Sequence, residues 1–150
     1  MQEAIKKLEH YCSYQERCHQ EVTAKLQNMA LTQEEKDQVV VHLITTNFLN
    51  ETRFARSYAR GKHRIKGWGK IRIVNELKRR DITQTNITIA LQEISESDYL
   101  ETLDKIALLQ WEHLREPNFL KKKKKFCDYL IRKGYESTLV YSKWQELSME

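Results

Sequence analysis

The sequence predicts an all-α fold: three tandem three-helix repeats, about nine helices, in an elongated, curved arrangement. Three observations carry that expectation. Glycine (4) and proline (1) are scarce in 150 residues, while Leu, Lys, Glu, Gln, Ile and Arg abound. Helix is therefore favoured throughout, and no sheet is expected. Apolar residues recur at spacings of three and four, in runs that begin at side chains able to cap a helix. Finally, the pattern repeats. Leu26, Leu77 and Leu130 lie 51 and 53 residues apart; four residues before them stand Val22, Ile73 and Phe126, and five after them Leu31, Ile82 and Tyr135. Fourteen after come Val40, Leu91 and Trp144, and seventeen after come Leu43, Ile94 and Leu147. Agreement at so many offsets sets the repeats at 1–49, 50–96 and 97–150. Each small unit buries its own core, so a long rod able to follow another extended object is expected.

The elements follow in order. Ile5, Leu8, Tyr11 and Cys12 share one helical face, and Val22, Leu26 and Met29 share the next. Thr32 with Glu35 has the form of a capping box, opening a helix at about Gln33 that buries Val39, Val40, Leu43 and Ile44. Asn50 caps the next, with Leu49 and Phe54 at hydrophobic-staple positions. That helix turns Phe54, Ala55, Tyr58, Ala59 and Ile65 inward and ends where Gly67 and Gly69 bracket Trp68. A second basic helix, roughly Lys70 to Arg80, buries Ile73, Val74 and Leu77. Thr83 then caps a helix carrying Ile87, Ala90, Leu91 and Ile94, and Ser95 starts one with Tyr99, Leu100, Leu103, Ile106, Ala107 and Leu114. Pro117 stops that helix and opens its successor, whose apolar face is Phe119, Phe126 and Leu130. Gly134 ends it, and Ser137 caps a last helix with Val140, Trp144 and Leu147.

Charge is sorted along the chain. Between Arg53 and Arg80 stand Arg53, Arg56, Arg60, Lys62, Arg64, Lys66, Lys70, Arg72, Lys78, Arg79 and Arg80 against the single acid Glu76, a local +10 against +5 for the whole protein. Arg53, Arg56, Arg60 and Arg64 fall along one helical stripe. A second block, Lys121, Lys122, Lys123, Lys124 and Lys125 with Arg132 and Lys133, faces only Asp128, whereas residues 1–52 sum to −3 and 81–120 to −6. A polyanion or an acidic protein surface is the expected partner of such blocks; an ordinary solvated face is the plainer alternative, and both readings stand. Phe54 and Tyr58 fit core positions, whereas Trp68, between glycines, is open to stacking on a base.

Catalytic and metal motifs are not recognisable. Gly67-Trp68-Gly69-Lys70 lacks the earlier glycine of a phosphate loop, and Ile71 stands where a magnesium-binding hydroxyl belongs. His10, Cys12, Cys18 and His19 match no finger spacing, and the odd count of cysteines, Cys12, Cys18 and Cys127, fits reduced thiols. Glu93, Glu96, Asp98 and Glu101 are more simply helix-start acids than metal ligands. The five histidines pair with no nucleophile. No apolar run approaches a membrane span or a signal core, so a cytoplasmic, non-enzymatic protein without cofactor or metal is expected. No apolar face is left over for a dimer, so a monomer is expected.

The motif R-F-A-R-x-Y at Arg53–Tyr58, the G-W-G of 67–69 and R-I-x-x-E-L at Arg72–Leu77, followed by Ile82, resemble the signature of the RecX regulatory proteins of bacteria. Two departures stand out: Asp81 occupies a usual glycine position, and Asn28-Met29-Ala30-Leu31 in the first repeat also lacks it. The resemblance implies a modulator of the RecA recombinase that lies along the RecA filament on DNA and hinders its growth, ATP hydrolysis and strand exchange. The placement of charge makes Arg53, Arg56, Arg60, Arg64, Lys66, Trp68, Lys70, Arg72, Lys78, Arg79 and Arg80 the expected contact surface for such a partner, with Lys121–Lys125 as a second anchor. DNA is a further expected partner through the same faces, and a nucleic-acid-binding protein without RecA-specific action is the alternative.

Overall fold

The computed structural model describes residues 1–149, so the final residue of the third expected repeat, Glu150, lies outside them. Among the described residues there are nine helices and no strand: α1 (Gln2–Tyr14), α2 (His19–Gln27), α3 (Gln33–Thr45), α4 (Glu51–Lys66), α5 (Lys70–Arg79), α6 (Gln84–Leu91), α7 (Glu96–His113), α8 (Phe119–Lys133) and α9 (Ser137–Ser148). None of these helices is long and apolar enough to cross a membrane.

Most of the helix starts follow from side chains three residues apart. The Glu35 amide donates to Thr32 Oγ1 at 3.1 Å while Glu35 Oε1 accepts from the Thr32 amide at 3.0 Å, a complete capping box. Asn50, Thr83 and Ser95 accept from the amides of Arg53, Asn86 and Asp98. Leu49 and Phe54, the staple pair around Asn50, are both buried.

Two expected starts are corrected. Pro117 lies in the connection, not in the first turn of α8; Asn118 caps that helix by accepting from the Lys121 amide, a role Pro117 has no side chain to fill. Ser137 is the first residue of α9, with Glu136 at the cap position. Cys18 caps α2 in a box with Glu21.

The chain divides into two compact units, Met1–Tyr58 with Leu77–Ala90, and Ala59–Glu76 with Leu91–Glu150. In the first, α1, α2 and α3 pack together over Ala4, Leu8, Cys12, Val22, Leu26, Val39, Leu43 and Leu49. In the second, α7, α8 and α9 pack together, burying Tyr99, Leu103, Ala107, Phe126, Leu130, Val140 and Trp144. Trp111, Phe126 and Trp144 meet there with centroids 5.4–5.9 Å apart.

Four residues expected inside are exposed, each for a helical reason. Ala55, Ala59 and His63 set the inward face of α4 at a spacing of four, so Ile65, two residues on, is turned about 200° away and is 82% exposed. Ile44 and Leu100 each follow a buried residue, Leu43 and Tyr99, and sit about 100° off the core face. Phe119, the first residue of α8, meets only the edge of the core, with its ring 5.2 Å from that of Trp144.

Candidate functional site

The corner between α4 and α5 is where backbone chemistry concentrates. Gly67 ends α4 with φ 69°, a conformation that a side chain resists, and its amide donates to His63 O at 3.0 Å. Gly69 serves a different need. Its amide donates to Lys133 O at 2.8 Å, and a Cβ on it would fall 2.3 Å from the Gly134 carbonyl, so the two backbones touch only because both residues lack side chains. Gly134, with φ 106°, is equally constrained, since its Cβ would lie 2.7 Å from the Arg72 nitrogen.

Buried polar side chains lock this corner. Tyr135 donates its hydroxyl to Gly67 O at 2.8 Å, and the Lys70 amide donates to the Tyr99 hydroxyl at 3.0 Å, which in turn donates to Glu136. Burial, reinforced for Tyr99 by the Glu136 carboxylate, pushes both phenols well above their ordinary range, so both stay protonated donors. His63 is 3% exposed; its Nδ1 lies 2.9 Å from Trp68 O, while Nε2 is buried without a partner. In the sequence His63 is one of five histidines that pair with no nucleophile. Its spacing of four from Ala59 and eight from Ala55 was the available signal.

In the unit that contains this corner, the expected cations have different fates. Arg60 Nη1 pairs with Glu93 at 2.6 Å. Arg72 and Lys62 flank Trp68, with Cζ 4.2 Å and Nζ 5.0 Å from the ring centroid, so the ring already carries two cations of its own chain. Lys70 lies 4.6 Å from the Tyr99 centroid. Arg64 and Lys66 are exposed, with no side-chain partner among the described residues. The lysine run of α8 is also partly used: Lys122 sits 3.7 Å over Trp111, Lys124 pairs with Asp128 at 2.8 Å and Lys125 with Glu116 at 2.9 Å, leaving Lys121 and Lys123. The Lys125 bond holds the Glu116 carboxyl below its ordinary value.

In the other unit, Arg53 is structural. Its Nε donates to Glu16 at 2.5 Å and its Nη2 to Asn47 O and Phe48 O, tying the start of α4 to the end of α3. Arg80 lies 4.9 Å from the Tyr58 centroid, and Gln20 bonds Arg79 O. Arg56, Lys78 and Arg79 are exposed. Arg56, Arg64, Lys66 and Lys78, all within residues 50–91, are thus solvent-facing cations that no described side chain neutralises. Among the described residues no cluster of His, Cys, Asp and Glu could hold a metal ion.

Residues 50–91, which hold α4, α5 and α6, match the family model of the RecX second three-helix domain. Curated relatives carrying the name regulatory protein RecX include one from Bacillus cytotoxicus, 28% identical over 140 residues, covering 93% of this chain and 52% of the relative. One from Clostridium acetobutylicum is 29% identical over 119 residues, covering 77% and 55%. The chain therefore spans about half the length of the curated relatives it matches. The crystal structure of RecX from Lactobacillus salivarius shares its fold, with a TM-score of 0.80 at 22% identity over 100% of both chains. A second crystal structure, of a regulatory protein RecX, gives 0.84 at 22% identity over 95% of this chain and 72% of that one. Family model, curated relatives and shared fold agree: residues 50–91 are similar to the RecX second three-helix domain, and the chain as a whole is similar to proteins named regulatory protein RecX.

Proposed function

We propose that this chain is a non-enzymatic regulator that binds the RecA filament on DNA and hinders its growth, ATP hydrolysis and strand exchange. The observation that carries the reading is a coincidence: the stretch matched by the RecX domain, 50–91, is also the most basic part of the sequence and keeps Arg56, Arg64, Lys66 and Lys78 uncompensated at its surface. Such cations suit an acidic protein surface or DNA phosphate, and their attraction acts over about 10 Å at ordinary salt. Arg53 and Arg60 serve the contact indirectly, by fixing α4 through Glu16 and Glu93. Trp68, Lys70, Arg72, Arg79 and Arg80 flank the same helices, and Lys121 with Lys123 is the surviving part of the second anchor. In this reading the protein acts in the cytoplasm and as a monomer.

The same cations also suit bare nucleic acid, so the test separates the two partners. RecA ATP hydrolysis is measured on excess single-stranded DNA, with this protein well below one copy per RecA. Inhibition is expected, together with its loss in the Arg56→Glu/Arg64→Glu/Lys78→Glu variant at unchanged helicity by circular dichroism. Inhibition that appears only when the protein is abundant enough to coat the DNA overturns the RecA-specific reading in favour of competition for DNA.

A further inference from the structure

A further basic surface lies on the first unit, in a part of the chain whose summed charge is negative. Residues 1–52 total −3, yet the fold separates the signs. Glu9 turns to His42 at 2.8 Å, Glu16 to Arg53 at 2.5 Å, and Glu21 closes the α2 cap on the Cys18 amide at 3.1 Å. What remains between α1 and α2 is a basin with no carboxylate in its lining. Tyr11 and Tyr14 supply its aromatic surface, and Lys6, Arg17 and Lys25 supply its cations together with Lys7, whose Nζ also lies 4.0 Å from the exposed Glu3.

The geometry is organised around Tyr11. Arg17 sits over the ring, with Cζ 3.6 Å from the centroid, and its Nε donates to Tyr11 O at 2.9 Å, so the guanidinium is fixed from two directions. Lys25 approaches the same ring at 5.1 Å. Tyr14, one turn further along α1, is 78% exposed and offers an uncovered ring. A large aromatic side chain left in water beside fixed cations loses the benefit of burial, which a flat partner would restore.

We propose that this basin binds single-stranded nucleic acid, with an unpaired base stacking on Tyr14 or on the Arg17–Tyr11 stack and phosphates meeting Lys6, Lys7 and Lys25. Charge complementarity demands an anion, and the exposed ring selects among anions. An acidic peptide satisfies the lysines but leaves Tyr14 unused, and a duplex keeps the faces of its bases stacked inside. Single strands present phosphate and base faces together. The site is independent of the RecA reading, and its assay contains no RecA.

The test uses the full chain with a labelled eight-residue thymidine oligonucleotide carrying one 4-thiothymidine, with affinity read by fluorescence anisotropy and position read by photocrosslinking and peptide mapping. Crosslinks are expected in the peptide spanning residues 6–25. Tyr14→Ala, an exposed change that spares the core, is expected to weaken binding about tenfold. Lys6→Gln/Lys7→Gln is expected to lower the salt slope by about 0.7 for each phosphate contact removed. Crosslinks confined to other peptides, or an affinity that Tyr14→Ala leaves unchanged, overturn the proposal. Oligoglutamate that displaces the oligonucleotide at equal charge concentration, with Tyr14→Ala neutral, reassigns the basin to acidic peptides.

Discussion

At Asp81 the backbone adopts φ 58°, in the left-handed region, at the position where the signature usually carries glycine. The bonds there are those of a glycine-ended helix: Ile82 N to Leu77 O at 3.1 Å and Asp81 N to Lys78 O at 3.0 Å. The same pair recurs at the end of α8, where Tyr135 N reaches Leu130 O and Gly134 N reaches Ile131 O. Aspartate tolerates this region better than most residues but still with strain. Asp81→Gly is therefore expected to stabilise the protein by about 0.5 kcal/mol in urea denaturation, the relief of strain being partly offset by unfolded-chain entropy. Gly134→Ala is expected to cost at least about 2 kcal/mol, because the new methyl meets backbone as well as a forbidden φ. The first repeat solves its helix end differently: Asn28 closes α2 at φ −86°, and no left-handed residue is needed.

At the scale of the element, what was legible was what is local. Thr32, Asn50, Thr83 and Ser95 were readable as caps because a cap and its amide lie three residues apart. The ion pairs of Arg53 and Arg60 were not legible, because their partners, Glu16 and Glu93, lie 37 and 33 residues away and a charge sum carries no direction. The basin at Tyr11 was hidden for the same reason. One element also carries a pH dependence. The Thr32 amide bond holds the Glu35 carboxyl below its ordinary value of 4.5, so the folded state favours the charged form. The resulting stabilisation of α3 is fully present above about pH 4.5 and is lost as the pH falls through the lowered folded-state value. Glu35→Ala should accordingly melt below the parent protein at pH 7, and the gap should narrow as the pH is taken progressively below 4.5 in thermal scans.

For the whole molecule, the repeat was visible in sequence because identical helix ends and core positions return at fixed intervals, and the repeated three-helix character of the fold follows it. The boundaries at 49/50 and 96/97 remain our proposal. Compactness groups the chain otherwise, into Met1–Tyr58 with Leu77–Ala90 and Ala59–Glu76 with Leu91–Glu150, so that α4 and α5 each contribute residues to both groups. Core arithmetic on a periodic sequence sees which residues face inward but not which neighbour receives them. Limited digestion with a broad-specificity protease is expected to cut first at 46–50 and 92–95, the connections between repeats. First cuts elsewhere, with both connections intact, reject the tripartite division.

The Gly69–Gly134 contact also sets an order of events in time. The corner at 67–69 completes its hydrogen bonds only with Lys133 O and the Tyr135 hydroxyl, partners that follow it by more than sixty residues in the chain. At roughly 5–20 residues per second, a translating ribosome needs several seconds to supply them. During that interval the corner's amides and carbonyls are served by water, and the most basic segment of the nascent chain waits for its frame. Its arginines are synthesised first, and the turn that fixes the corner between their helices follows them.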